Sequence, residues 1–232
     1  MNKSKSRKFW FRCLKTFLKI FIRKPKFVYL GESIKQTSII ISNHVGAFGP
    51  LKTELYLDVP FRFWGTYEMN SNFKSVYRYL SYDYFHIRQH WNLFLSRLFC
   101  IIAAPLVKWF YSGLRLISTY PDSRFKTTIK KSMEVIENGE SIVLFPEDSE
   151  TGYFDNLKRY FAGFAVLAKT ALKKGIDLPI YLAYLRRRDN TYVFDKPLLA
   201  SKLLSSGKSK YEIAEELCNR ANELGLMELE KA

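Results

Sequence analysis

Apolar and basic positions interleave near the start of the chain. Trp10, Phe11, Leu14, Phe17, Leu18, Phe21 and Ile22 are broken by Arg12, Lys15, Lys19 and Arg23 at spacings of three, four and four. That periodicity predicts a helix over residues 8–27, apolar around most of its circumference and carrying one basic stripe. Next comes a strand-like run, Thr37 to Ser42, which stops at Asn43-His44. A helical pattern resumes only at Gly49-Pro50, where proline suits a first helical turn. A second apolar run, residues 98–107, lies between Arg97 and Lys108. Ten residues are about half of what a helix needs to cross a bilayer. The run therefore predicts a buried core helix in preference to a second membrane-dipping segment, and no membrane-crossing helix is expected.

From residue 113 onward short apolar runs alternate with helical periods. Residues 113–119 read as a short strand, and 123–139 as a helix with Phe125, Ile129, Met133 and Ile136 on one face and Gly139 as its stop. Residues 140–145 form a continuous apolar strand ending in Pro146-Glu147-Asp148, and 156–175 a second helix stopped by Gly175. Residues 178–185 and 191–198 read as further strands, and 209–224 as a closing amphipathic helix. Strands separated by helices predict an α/β fold with a largely parallel central sheet flanked by helices.

Charge sharpens this picture. The net charge is +15, yet residues 1–26 hold ten Lys/Arg and no acid, leaving 27 basic against 22 acidic residues elsewhere. The basic excess belongs to the N-terminal segment, and aromatics reach 16%. Aromatic bulk with a basic stripe suits a helix lying in an anionic membrane interface. Residues 1–30 are accordingly expected as a basic, aromatic membrane-interface helix and 31–232 as the α/β domain. The apolar face is too broad for a nucleic-acid-binding arm. Three scattered cysteines, Cys13, Cys100 and Cys218, fit a reducing, intracellular setting.

Two loops carry candidate chemistry. His44 sits at the mouth of a strand-to-helix turn, where α/β domains build their sites. Phe145, Pro146, Glu147 and Asp148 leave the end of a second buried strand. Brought together, the imidazole could act as general base on a hydroxyl. His86 and His90 lie four apart but lack a third ligand, so no metal site is implied.

In order along the chain, "SNHVGAFGP", "GLRLIST", "VLFPED", "DLPIYLAYL" and "VFDKPL" resemble the sequence blocks of glycerolipid acyltransferases of the lysophosphatidate acyltransferase type, across roughly residues 35–200. The resemblance implies that His44 deprotonates an acceptor hydroxyl, which then attacks an acyl thioester. The donor would be acyl-CoA or acyl-carrier protein, with no cofactor, and the acceptor a lysolipid. Phe145, Pro146 and Glu147 would contact that acceptor, and the aromatic-rich residues 61–111 would line an acyl channel or simply fill the core. The family places an aspartate five residues after its histidine to orient the imidazole, and here that position is Gly49. Asp148 is the expected substitute, with Glu54 and Glu147 as the other candidates. The family's phosphate-binding arginines are also missing: Glu150 and Ser118 or Thr119 stand in their places, with Arg115, Arg124 or Arg186–Arg188 available to compensate. The expected protein is a membrane-associated acyltransferase, peripheral or monotopic on the cytoplasmic face of the cell membrane. The alternative is a catalytically impaired relative that binds lipid or membrane.

Overall fold

The computed structural model describes residues 7–229. In chain order its elements are α1 (Phe9–Phe21), β1 (Lys26–Tyr29), β2 (Ile39–Ser42), α2 (Phe48–Tyr56), β3 (Phe61–Thr66) and α3 (Phe73–Arg78). A π-helical segment, Tyr79–Arg88, prolongs α3 and leads to α4 (Leu93–Leu114), β4 (Ile117–Thr119), α5 (Phe125–Glu137) and β5 (Ser141–Leu144). The chain closes with α6 (Gly163–Lys173), β6 (Pro179–Arg186), β7 (Thr191–Phe194), β8 (Leu198–Leu199), α7 (Ala200–Leu204) and α8 (Lys210–Leu226).

The strands form one sheet in the order β1-β7-β6-β2-β5-β3-β4, with β8 on β6. It is parallel except where β7 and β8 meet β6. Strand β2 lies between β5 and β6, so its run of isoleucines is buried on both faces. Successive side chains serve opposite layers. Ile39 and Ile41 join the core under α5, α6 and α8, whereas Ile40 joins Phe11, Phe63 and Leu114 on the other face. Each fully buried isoleucine contributes roughly 1.5–3 kcal/mol. The expected α/β architecture with a largely parallel sheet is what the chain adopts.

Several elements differ from the sequence reading. Helix α1 ends at Phe21 rather than continuing toward residue 30: Ile22 is already extended, and Pro25 has no N–H to donate to the Phe21 carbonyl. Residues 26–29 then join the sheet as its edge strand β1. Residues 1–6 of the expected N-terminal helix lie outside the described residues. Half of the basic stripe engages α2. Lys15 donates to Glu54 at 3.0 Å, and the Lys19 ammonium sits 5.3 Å over the Tyr56 ring. Phe11 is buried where Gly113 leaves room, since a Cβ at 113 would stand 2.1 Å from its ring.

The apolar run at 98–107 is not a buried core helix. It belongs to the 22-residue α4, started by the Asn92 side chain, which accepts the Phe94 N–H at 2.9 Å. Only Ser96, Cys100 and Ala104 are buried before its last turn, a single line at four-residue spacing. The bounds misled the reading, because Arg97 and Lys108 lie within the helix and reach sideways from it. α4 also takes Gly113 and Leu114 from the expected 113–119 strand. Arg115 ends it in left-handed geometry at φ 56°, and β4 keeps three residues. Residues 156–162 are likewise not helical. Their backbone bonds go to the loop after β5, with Phe161 N–H to Pro146 O at 2.8 Å and Asp148 N–H to Arg159 O at 2.9 Å.

Candidate active site

Asn43 ends β2 and sets the direction in which the chain leaves the sheet. Its side chain accepts the Leu185 N–H at 2.7 Å and donates to the Leu185 carbonyl at 3.1 Å, taking the place of one rung of the β2–β6 ladder. His44 therefore departs at the sheet's carboxyl edge, where ligands of parallel sheets collect. Val45 and Gly46 then both adopt left-handed backbone, at φ 49° and 60°. That conformation is strained for a β-branched valine, costing about 1–2 kcal/mol. The reversal folds the Gly46 carbonyl onto His44 Nδ1, forming a short hydrogen bond. A carbonyl can only accept, so Nδ1 carries the proton and Nε2 holds the free lone pair.

The loop after β5 supplies the rest of the setting. Phe145 meets the imidazole edge-on at 5.2 Å, and Tyr153 stacks on it at 4.9 Å. Glu147 is buried, and its carboxylate accepts the His44 backbone N–H at 2.9 Å. Both groups are electrostatically displaced. Burial lowers His44 to about 4, the Gly46 hydrogen bond opposes that shift, and the Arg88 charge adds to it. Burial raises Glu147 to about 7, against the opposing pull of the His44 N–H and Arg187. A perturbed acid and a perturbed base at one strand mouth mark a candidate site.

The sequence brought His44, Phe145 and Glu147 forward, and the fold brings them together. Pro146 shapes the same loop, its carbonyl accepting the Phe161 N–H. The expected orienting acid is not supplied by Asp148. That carboxylate pairs with Arg159 at 2.6 Å and accepts the Glu150 N–H at 3.2 Å. Glu54 is not available either, being held between Arg7 at 2.8 Å and Lys15 at 3.0 Å. The backbone of Gly46 does the orienting, and only a left-handed turn two residues after a histidine could have hinted at it. Glu147 also works differently from the expectation, holding the His44 main chain.

Arg88 and Tyr153 were missed. Arg88 ends the π-helical segment, a helix form frequent at functional sites. It donates to Ser149 Oγ at 3.1 Å and lies 5.7 Å over the Tyr79 ring. Among the described residues no carboxylate comes within ion-pairing distance of it. The compensating arginines suggested by the sequence are engaged elsewhere. Arg124 pairs with Asp122, and Arg186 with Asp189. Arg187 pairs with Asp155, Arg188 donates to the Met227 carbonyl, and Arg115 feels Arg62, Glu140 and Arg7. His86 and His90 do not share a helix face, because His90 lies past the segment's end at φ 57°.

No protein-family model matches the chain, and no curated protein matches it. Among solved structures the chain is similar to the 1-acyl-sn-glycerophosphate (LPA) acyltransferase of Thermotoga maritima. The TM-score is 0.50 and the identity 13%, with 96% of this chain and 91% of that chain covered. Identity that low speaks for architecture alone, and the chain shares with that enzyme an α/β fold built on a mostly parallel sheet flanked by helices.

Proposed function

We propose that the chain is a membrane-associated acyltransferase that moves a fatty acyl group from a thioester donor to a hydroxyl of a lysolipid-type acceptor. The observation that carries this reading is the His44 tautomer. Nδ1–H is spent on the Gly46 carbonyl, so Nε2 is the nitrogen able to take a proton. In the reaction Nε2 removes the acceptor hydroxyl proton as its oxygen attacks the thioester carbonyl. Collapse of the tetrahedral intermediate expels the thiolate, which takes the proton back from the imidazolium. Acyl-CoA or acyl-carrier protein serves as donor, and the exposed Arg12 of α1 and Arg23 just beyond it hold the chain at an anionic membrane surface on the cytoplasmic face. The test is transfer of a labelled acyl group from each donor to charged, zwitterionic and uncharged lysolipids. Wild-type transfer to at least one acceptor is expected; none from either donor overturns the proposal.

Arg88 is the group suited to an anionic acceptor, through a guanidinium that can grip an oxyanion in two places. Arg88→Gln is expected to raise KM for lysophosphatidate about tenfold or more and to leave KM for an uncharged acceptor within about twofold. Equal effects on both would assign Arg88 to the fold instead.

Glu147 gives the rate a pH dependence. Above about pH 7 its carboxylate is charged beside His44 and favours the imidazolium formed during transfer. Transfer is therefore expected to rise roughly tenfold from about pH 6 to pH 8. Glu147→Gln can still accept the His44 N–H and should keep the low-pH rate throughout. An unchanged inflection in that variant would place the titration on another group.

A second reading, a catalytically impaired relative that binds lipid, draws on one observation. A carbonyl orients His44 but carries no full charge to stabilise an imidazolium, and His44 is held at about 4.

A further inference from the structure

Helix α4 presents an apolar surface that the acyl-transfer reading does not use. Phe94, Leu98, Ile101, Ile102, Leu106 and Trp109 are exposed along it, Phe94 and Ile102 at 72%. So large a contiguous patch marks an interaction surface. The helix is long and apolar enough to cross a membrane by length and composition, but its attachments forbid crossing. Ser96, Cys100 and Ala104 are buried along its inner line, against α3 and the π-helical segment. Trp91, just before it, packs on Phe85 at 4.9 Å and Phe99 at 5.5 Å, and Leu114, at its end, is three residues from β4. A spanning helix would have to give up its contacts with α3, the π-helical segment and Phe85.

We infer that α4 lies in the plane of an anionic phospholipid bilayer, its outer face sunk among the acyl chains, as a second and deeper attachment than the charges of α1. The inference rests on the membrane-associated part of the proposed function. Charge selects the bilayer over a second copy of this chain. Residues 84–121 hold four Lys/Arg and no acid, and Lys74, Arg78 and Arg97 rim the helix as exposed cations. The Trp10–Trp109 stack at 4.6 Å joins α1 to the same surface. A self-contact there would oppose two N-terminal segments, residues 7–26 of each carrying eight Lys/Arg and no acid; anionic headgroups complement them. The surface also connects to the site. Aromatic rings run from His44 to Tyr153 at 4.9 Å, on to Tyr84 at 6.4 Å, Phe85 at 4.9 Å and Phe99 at 5.1 Å on α4.

The full chain is tested by flotation with vesicles of phosphatidylcholine and phosphatidylglycerol, alone and in about 0.5 M NaCl, which cuts electrostatic reach to roughly 4 Å. Lipids brominated in the acyl chain report tryptophan depth. Wild type is expected to stay bound in salt with its tryptophan emission quenched. Ile102→Asp with Leu106→Asp, both at exposed positions, should lower salt-resistant binding at least tenfold with Tm unchanged. Binding by this variant equal to wild type, or wild-type binding that salt abolishes without quenching, overturns α4 insertion while leaving charge-driven membrane association in place. A wild type that ignores vesicles but dimerises through α4 overturns both. Transfer to a short-chain, water-soluble acceptor should survive the double variant. Its absence in wild type too would fail the acyltransferase reading and leave the flotation result standing.

Discussion

Replacing His44 by alanine is expected to lower kcat/KM for acyl transfer by about 10³-fold or more, roughly the share a general base supplies. The imidazole also packs on Phe145 and Tyr153, so alanine removes contacts as well as the base. His44→Asn separates the two. Its amide N–H can still donate to the Gly46 carbonyl, holding the turn, but no nitrogen remains that can take a proton. Loss in both variants with wild-type Tm in the asparagine form identifies Nε2 as the base. Activity within tenfold of wild type in His44→Asn would leave His44 a packing residue and favour the lipid-binding reading.

The parts of the site that the sequence disclosed are those written in side chains on regular elements. The isoleucines of β2 and the apolar run of β5 announce buried strands, and a buried strand in an α/β fold ends in a loop at the sheet's edge. The apolar pattern alone thus places His44 and Glu147 on facing loops. The group that orients His44 is invisible to it, because it is a main-chain carbonyl delivered by left-handed backbone at Val45 and Gly46. Arg88 was hidden differently. It arrives from an aromatic stretch whose π-helical winding has no simple periodicity, and its hydrogen-bond partner Ser149 is distant in sequence. The exposure of α4 was missed because hydropathy reports what a side chain prefers and says nothing of whether the fold has room to cover it.

Burial explains why the site is arranged as it is. Taking His44 and Glu147 out of water disfavours the charged form of each, so the imidazole resists protonation and the carboxyl resists ionisation. A neutral base next to an acid that ionises near pH 7 is a pair whose charges can appear together only when the reaction supplies the proton. The Glu147 carboxylate thus sits behind the His44 main chain, where the resemblance would place a carboxylate on the ring.

Gly49→Asp, which restores the residue type five places after the histidine, is expected to inactivate the protein instead of improving it. A Cβ at position 49 would stand 2.2 Å from the His44 carbonyl oxygen and 2.9 Å from its carbonyl carbon. Those atoms are fixed from both sides, by the Gly49 N–H bond to His44 O at 3.1 Å and by the Glu147 bond to the His44 N–H. The first turn of α2 must therefore move away or the His44–Gly46 turn must open, and the second course breaks the bond at Nδ1. An aspartate near a helix N-terminus contributes about 0.3–1 kcal/mol through the helix dipole, too little to offset a backbone clash costing about 3 kcal/mol. For a chain of this size the net loss corresponds to a Tm lower by about 5–10 °C. Gly49→Ala isolates the steric part and should lose about as much stability, since the offending atom is Cβ in both. Thermal unfolding of the two variants beside wild type, with transfer measured well below their midpoints, decides the matter. A Gly49→Asp protein as stable as wild type and faster in transfer would mean that the turn yields and that a carboxylate can take the place of the Gly46 carbonyl.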